Sequence, residues 1–245
     1  MPKQELAVVI LAAGKGTRMQ SDRAKVLHSL DSRPMLIHVL DTVARLDPQR
    51  VVVVVGHQAA EVKQACANRP IEFVEQSEQL GTGHAVLQAE EALADFEGDV
   101  LILCGDMPLI QPSTLQTLLK KHHETGADCT VLSLKTNEKK DFGRVVRSPD
   151  GTVLRIVEDR DANEQEKTID EYNSGVYSFN KGILFKALAS VGTRNTQGEY
   201  YLTDTIEILS QSGHVVTCYS TRDADEILGI NSSEDLKKAE KILQA

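Results

Sequence analysis

The feature that most constrains this chain is a series of short, uninterrupted apolar runs separated by stretches with helical spacing. Examples are Leu6–Ile10, Val51–Val55 and Val100–Cys104. Such runs are typical of strands in a parallel sheet, where helices cover both faces and no position alternates with solvent. Strands that alternate with helices in this way through residue 135 predict an α/β fold with a doubly wound, Rossmann-like sheet.

The rhythm changes after residue 135. Gly143–Val146 and Val153–Val157 flank the turn Ser148–Gly151, which predicts an antiparallel hairpin inserted into the mostly parallel sheet. Leu228–Asn231 is predicted to be a short return strand. Ser232 followed three residues later by Asp235 resembles a capping box that opens a last helix.

We therefore expect a single domain over residues 1–245, whose 245 residues suffice for a large core. Its parts are a first half at about 1–135, a second half at about 136–231 and a C-terminal helix at 232–245.

A loop rich in glycine and cations follows the first strand. It carries Gly14 and Gly16, and Lys15, Arg18 and the nearby Lys25 add positive charge. Glycines let the backbone N–H groups approach phosphate oxygens, so the loop is interpreted as a triphosphate cradle. Its spacing fits neither a dinucleotide fingerprint nor a P-loop. The alternative is a glycine turn with solvated cations.

Polar residues also stand where other strands are predicted to end. Asp106 follows the buried run Val100–Cys104, and Asn231 follows the predicted return strand. Ligands of open α/β sheets lie beyond the carboxyl ends of the strands, and oxygen donors there suit Mg²⁺. Each residue alone could equally be a turn residue that the backbone satisfies.

The segment Gln76–His84 lies between a strand and a helix. Its amides, backbone N–H groups and glycines could read the edge of a nucleobase, although a helix N-cap would also use Thr and Gly. We interpret His84 as a structural helix residue.

Composition narrows the partners. The net charge of −9 argues against nucleic-acid binding, because phosphate backbones favour basic surfaces. No apolar run approaches membrane-spanning length, so no membrane partner is expected. The four cysteines are scattered without CxxC pairing, as in a reduced, cytoplasmic protein.

Several motifs follow one another across nearly the whole chain, and together they resemble the uridyltransferase domain of bacterial N-acetylglucosamine-1-phosphate uridyltransferases, a sugar nucleotidyltransferase family. The matching strings are Leu11–Met19, Gln79–Ala85, Gly105-Asp106-x-Pro108-Leu109, Gly143-Arg144, Asn173–Gly175, Gly198–Asp204 and Gly229–Asn231. The first string is common to many sugar nucleotidyltransferases, whereas the second and the Gly-Glu-Tyr-Tyr run are narrower. Ala24 and Cys104 depart from residues frequent in the family, Pro and Tyr.

The resemblance implies a role for each matching residue. Arg18, Lys25 and Asp106 would be catalytic, and Asp106 and Asn231 would be the Mg²⁺ ligands. The nucleotide-binding residues would be Leu11, Ala12, Ala13, Gly14, Lys25, Gln76, Gly81 and Thr82. The sugar-binding residues would be Gly143, Glu158, Asn173, Tyr201 and Thr203.

The implied reaction joins UTP and N-acetylglucosamine-1-phosphate to give UDP-N-acetylglucosamine and pyrophosphate. The phosphate nucleophile has a second pKa near ~6, so no general base is required. The alternatives are a related nucleotidyltransferase with another base or sugar, or a catalytically idle nucleotide-sugar sensor. The sequence contains no hexapeptide array, so we expect no β-helix and no acetyltransferase activity.

Overall fold

The computed structural model describes residues 5–19 and 21–244. The strands, in chain order, are β1 (Leu6–Ala12), β2 (Ser29–Leu30), β3 (Arg33–Pro34), β4 (Arg50–Val55), β5 (Glu72–Glu75), β6 (Asp99–Cys104), β7 (Cys129–Lys135), β8 (Arg144–Arg147), β9 (Val153–Val157), β10 (Glu171–Asn180) and β11 (Val216–Thr221). The α-helices are α1 (Met35–Ala44), α2 (Ala59–Ala65), α3 (Thr82–Leu87), α4 (Pro112–Thr125), α5 (Lys181–Leu188), α6 (Asp204–Gln211) and α7 (Ser233–Leu243).

One nine-stranded sheet runs through the molecule in the order β11-β7-β10-β6-β1-β4-β5, and β8 joins β10 with β9 behind it. The pairs β6/β1, β1/β4, β4/β5 and β11/β7 are parallel, whereas β10 is antiparallel to both β6 and β7. The mostly parallel α/β sheet with an antiparallel insertion is thus confirmed. The two halves share this sheet, because β10 lies between β6 and β7.

Two hydrophobic cores cover the two faces of the sheet, which explains the continuous apolar runs. Along β1, Val9 packs into the core under α3, α5 and α6, while Ile10 packs into the core under α1, α2 and α4. Both side chains are fully buried. Removing either from water contributes about 1.5–3 kcal/mol, so the central strand is held from both sides.

The parallel strands β1, β4, β5 and β6 end at one edge of the sheet, and the polar loops of the sequence follow these ends. The capping box of α7 is confirmed as well. Ser232 Oγ accepts from the backbone N–H of Asp235, and Asp235 Oδ2 accepts from the backbone N–H of Ser232. This cap fixes the residue just before it, Asn231.

Three local features of the structure differ from what the sequence pattern suggests. Leu228–Asn231 is not a strand, because both edges of β6 are already paired, and Ile230 N makes a single bond of 2.9 Å to Asp106 O. The helical spacing of the apolar residues from Ala85 to Leu93 suggests one continuous helix, but α3 ends at Leu87. The small hairpin β2–β3 was not foreseen, and its turn residues Asp31 and Ser32 have φ of 48° and 63°. Across residues 5–19 and 21–244, no helix is both long and apolar enough to cross a bilayer.

Candidate active site

A cleft of about 280 Å³ opens at the carboxyl ends of β1, β5 and β6. All eight residues predicted to contact the nucleotide line it: Leu11, Ala12, Ala13, Gly14, Lys25, Gln76, Gly81 and Thr82. Asp106 and Cys104 line it too. The fold therefore gathers segments far apart in sequence into one cleft, and their contacts with a nucleotide remain a prediction.

The glycine loop after β1 gives this cleft a backbone that a phosphate could approach closely. Gly14 is exposed, and a Cβ there would meet no atom within 4 Å, so a ligand could approach its backbone closely. Gly16 has a φ of +66°, and an added Cβ would lie 2.6 Å from Lys25 Cβ. The loop thus needs glycine at position 16 both for its backbone conformation and to let the Lys25 side chain pass.

Lys25 lies at the centre of a cation–oxygen cluster. Its ammonium donates to Asp106 Oδ2 and, at 2.7 Å, to Asn231 Oδ1. Arg18 Nη2 donates to the same Asn231 oxygen at 2.7 Å. Asn231 is itself fixed, because its Nδ2 donates to Gly229 O and its backbone N–H to Asp235 Oδ2, both at 2.9 Å.

The same cluster contains oxygen donors of the kind that a divalent cation takes. A carboxylate oxygen of Asp106 and an amide oxygen of Asn231 converge on one positive charge, which the Lys25 ammonium provides. Mg²⁺ prefers oxygen donors and commonly takes only one or two from the protein. No group of three or more His, Cys, Asp or Glu suited to a metal occurs in the described part of the chain. The donor set therefore fits Mg²⁺ and gives no support to a zinc-like site.

Gln76 lies in the part of the cleft that is predicted to bind the base. It is only 3% exposed, and its Nε2 donates to Gly81 O at 3.0 Å. Because a backbone carbonyl can only accept, this bond fixes which end of the amide points to Gly81. The same Nε2 lies 3.0 Å from Nδ1 of His84. The amide nitrogen is thus occupied, and the carbonyl oxygen is the end left for a ligand.

Sequence reasoning missed the part that His84 plays. The ring stands between two amides, with Nδ1 facing Gln76 and Nε2 lying 3.2 Å from Gln88 Nε2. His84 is therefore a structural residue, as interpreted, but what it holds is the proposed base reader. Its place in the same short motif as Gln76 was the available signal.

The segment Gln76–His84 is also hydrogen-bonded to the segment Gly198–Asp204. Gly83 N donates to Tyr200 O at 2.8 Å, and Tyr200 N donates to Leu80 O at 2.8 Å. Thr82 Oγ1 accepts from Leu202 N at 3.0 Å. Gly81 has a φ of +112°, and a Cβ there would lie 2.6 Å from Tyr200 O. The two narrow motifs of the sequence are thus packed directly against each other.

The five predicted sugar-binding residues lie outside the lining of the nucleotide cleft. They form their own group around β10, next to the cleft: Cys104 Sγ lies 3.9 Å from Gly175 O on that strand. Asn173 N donates to Gly143 O at 2.7 Å, and Thr203 Oγ1 donates to Glu158 Oε1 at 3.0 Å.

The cluster of predicted sugar-binding residues is acidic, and one of its hydroxyl groups lacks a hydrogen-bond partner among the described residues. Burial raises the pKa of Glu158 above its ordinary value, and nearby Asp161 and Asp204 raise it further. Burial likewise raises the pKa of Asp204 to about 6. The buried hydroxyl of Tyr201 lies near Gln197 but has no partner at hydrogen-bonding distance among the described residues. Buried polar groups without partners are costly, and a bound hydroxylated ligand could supply the missing bonds.

Comparison with known proteins identifies a matching family and similar relatives. The family model described as "MobA-like NTP transferase domain" matches residues 8–245. The chain is 50% identical over 236 residues to the "Bifunctional protein GlmU" of Bacillus cytotoxicus, and 49% identical to that of Bacillus mycoides. Each match covers 96% of this chain and 51% of the relative, so the chain spans about half the length of these relatives.

A solved structure supports the fold. "The Crystal Structure of UDP-glucose pyrophosphorylase complexed with UDP-glucose" superposes with a TM-score of 0.79, covering 98% of both chains at 16% sequence identity. At that identity the similarity concerns the architecture alone.

Proposed function

This chain belongs to the family of MobA-like NTP transferase domains, and from that premise we propose that it transfers UMP from UTP to N-acetylglucosamine-1-phosphate. The products are UDP-N-acetylglucosamine and pyrophosphate. The observation that carries the proposal is the cluster of Lys25, Arg18, Asp106 and Asn231 beside the Gln76–Gly81 loop. Identity of about 50% with GlmU proteins supports the choice of substrates.

The transferred group is the uridylyl group of UTP. The chain therefore has to position the phosphates of both substrates and neutralise their charge. A phosphate oxygen of the sugar phosphate attacks the α-phosphorus of UTP, and the bond to the β,γ-pyrophosphate breaks. The nucleophile is ionised near neutral pH, because the second pKa of a phosphate monoester is about 6. This agrees with a cleft that offers cations and backbone N–H groups.

Lys25 and Arg18 supply the protein's charge at the phosphates. Lys25 now donates to oxygens of Asp106 and Asn231, and Arg18 donates to the Asn231 oxygen. With UTP bound, the two side chains would donate to its phosphate oxygens instead. Asp106 and Asn231 would then hold a divalent cation, for which we propose Mg²⁺, and the bound ion supplies further neutralisation of phosphate charge.

Base choice rests on the fixed amide of Gln76. Its carbonyl oxygen would accept from N3–H of uracil, and the backbone N–H of Gly81 would donate to a uracil carbonyl. Cytosine presents an acceptor at N3 and an amino group in place of the carbonyl, so both contacts would pair like with like. An unpaired buried group costs about 1–3 kcal/mol.

The acetylated amino sugar is proposed to lie against Gly143, Glu158, Asn173, Tyr201 and Thr203. Glu158 and Thr203 are already hydrogen-bonded to each other, and Asn173 is anchored to Gly143. Sugar hydroxyls would bond to the carboxylate of Glu158 and to the unpaired hydroxyl of Tyr201. A cytoplasmic location and the absence of nucleic-acid and membrane partners remain predictions.

The test is a matrix of nucleoside triphosphates against sugar-1-phosphates with Mg²⁺, in which pyrophosphate release is measured. We expect release chiefly with UTP and N-acetylglucosamine-1-phosphate. Lys25→Ala should lose this activity, and Lys186→Ala, on the exposed face of α5, should keep it. Activity only with another pair would assign a related transferase, and nucleotide-sugar binding without turnover would assign a sensor.

A further inference from the structure

Gln58 is an unusual residue at the start of α2. Its φ of 52° and ψ of 45° place it in the left-handed region, which side chains other than glycine enter at a cost. It occupies the N-cap position of α2, yet its side chain makes no capping bond to that helix. Strained backbone of this kind persists where the surrounding structure requires it, and often near functional sites.

The Gln58 side chain reaches a different loop. Its Oε1 accepts from the backbone N–H of Ala24 at 2.5 Å. Ala24 is fully buried and directly precedes Lys25. Because a backbone N–H can only donate, the identity of the accepting oxygen is unambiguous. The strained residue thus holds the peptide from which the Lys25 side chain departs.

The neighbouring residue makes the same connection. His57 N donates to Ala13 O at 3.2 Å, in the loop after β1, and His57 Nε2 lies 3.3 Å from Asp22 O. The turn between β4 and α2 therefore contacts both loops that carry the proposed phosphate-binding groups. On the other side, Gly16 leaves just enough space for the Lys25 Cβ.

We propose that Gln58 is a positioning residue for Lys25. By accepting from Ala24 N, it fixes the direction in which the Lys25 ammonium enters the cleft. The inference rests on the proposed function, because it assumes that Lys25 acts on the phosphates of the nucleotide. Gln58 itself contacts neither Asp106 nor Asn231, so its effect must pass through Lys25.

Ala24 offers a second way to test the connection. Its φ of −51° and ψ of 134° are values that proline also adopts. A proline at position 24 has no N–H and needs no acceptor, but its ring carbon would point at the Gln58 oxygen that now lies 2.5 Å from the nitrogen. The two substitutions should therefore each be harmful alone and compatible together.

The first experiment measures steady-state pyrophosphate release and the affinity for UTP with Mg²⁺ by calorimetry. Gln58→Met keeps the length but removes the acceptor, and we expect kcat to fall at least tenfold. Gln58→Glu keeps an acceptor oxygen and should stay within about threefold of wild type. Gln64→Met, an exposed residue of the same helix, is the matched control and should change neither quantity.

The second experiment asks whether the effect passes through Lys25. In a Lys25→Ala background, adding Gln58→Met should change UTP affinity by less than twofold. In the pair Ala24→Pro with Gln58→Ala, kcat should recover at least fivefold over Gln58→Ala alone. The thermal midpoint of each variant is followed in parallel, because a merely structural role would lower the midpoint without depending on Lys25.

Three outcomes would overturn the proposal: Gln58→Met retaining more than half the wild-type kcat, equal losses with and without Lys25, or Gln58→Glu failing like Gln58→Met. If the wild-type chain transfers no uridylyl group, the proposed function fails by itself. The positioning role is then decided by UTP affinity, which Gln58→Met must lower in the presence of Lys25 and leave unchanged in its absence.

Discussion

The predicted nucleotide-binding residues and the predicted sugar-binding residues differ in how far their polar groups are hydrogen-bonded within the protein. On the nucleotide side, Lys25 bonds to Asp106 and Asn231, and Gln76 bonds to Gly81. Among the predicted sugar-binding residues, the Tyr201 hydroxyl is buried with no hydrogen-bond partner within residues 5–19 and 21–244, and burial raises the pKa of Glu158.

The difference teaches how each ligand would have to bind. At the Lys25 cluster, the phosphates of a nucleotide would have to exchange existing bonds for new ones, so the net gain is small for each bond and the geometry is preset. A sugar would instead fill bonds that the protein leaves open. The cleft is thus internally bonded at the Lys25 cluster, whereas a ligand would complete the neighbouring group around β10.

The largest expected effect breaks the nucleotide side. Asp106→Ala removes the carboxylate that now binds Lys25 and that would hold the cation, so turnover should fall below about a tenth of wild type, a barrier change above ~1.4 kcal/mol. Pyrophosphate release and the thermal midpoint are measured together, and the midpoint should stay near that of wild type. Asp150→Ala, in the exposed turn between β8 and β9, is the control. Retention of a greater rate would contradict the metal assignment.

A second prediction uses Glu171, a buried carboxylate whose pKa is lowered, whereas the pKa of Glu158 is raised. It is 3% exposed and accepts from Arg147, Ser133 and Ser220. Although burial alone would raise its pKa, these bonds hold it at about 2, against an ordinary 4.5, which corresponds to about 3 kcal/mol of stability.

The sign follows from the lowered pKa. The contribution is fully present above pH 4.5 and is lost as the pH falls toward about 2. Glu171→Gln should therefore lower the free energy of unfolding at neutral pH and flatten its acid dependence between these values. Urea unfolding at several pH values measures both, and an unchanged acid dependence would show that the carboxylate is not the group responsible.

The third prediction sharpens the base side. His84→Ala removes the acceptor at Nδ1 that helps to fix the Gln76 amide, so the preference for UTP over CTP should fall about tenfold, or ~1.4 kcal/mol. His84→Asn places an acceptor oxygen near the position of Nδ1 and should restore most of the preference. The ratio of kcat/KM for the two nucleotides is the measurement. Equal ratios in wild type and His84→Ala would remove His84 from base selection.

The smallest expected effect concerns the pH dependence of sugar binding. Because burial raises the pKa of Glu158 above its ordinary value, its carboxylate is protonated at a higher pH than that of an ordinary glutamate as the solution is acidified. KM for the sugar phosphate should therefore rise with acidity, and Glu158→Gln should flatten this rise. The substrate phosphate titrates near ~6 as well, so the wild-type KM is compared with that of Glu158→Gln at each pH. A constant ratio would contradict the role of Glu158.

Local pattern was enough to predict the fold class and to place the candidate site at the ends of the parallel strands. Buried runs such as Leu6–Ile10 identify parallel strands, and the ends of such strands gather at one edge. Asn231 was chosen because it stands at the end of the predicted return strand and because of the family resemblance, although that strand does not form. These are short-range signals, each contained within a few neighbouring residues.

The features that were missed depend on contacts between distant segments. The bond from Ala24 N to Gln58 Oε1 joins residues 34 positions apart, and a left-handed glutamine leaves no mark in apolar periodicity. The placement of β10 between β6 and β7 is likewise a result of packing rather than of local spacing. The order of the strands in the sheet depends on how distant helices and strands pack together, and no local pattern records it.

The place of β10 in the sheet has a consequence for synthesis on the ribosome. One edge of β6 pairs with β1, but the other is covered only by β10, whose last residue is Asn180. While residues 105–170 are translated, the nascent chain carries an open β6 edge, and such edges invite pairing with other chains. The domain therefore completes its sheet late, and a pause in translation before β10 would prolong the interval in which this edge is open.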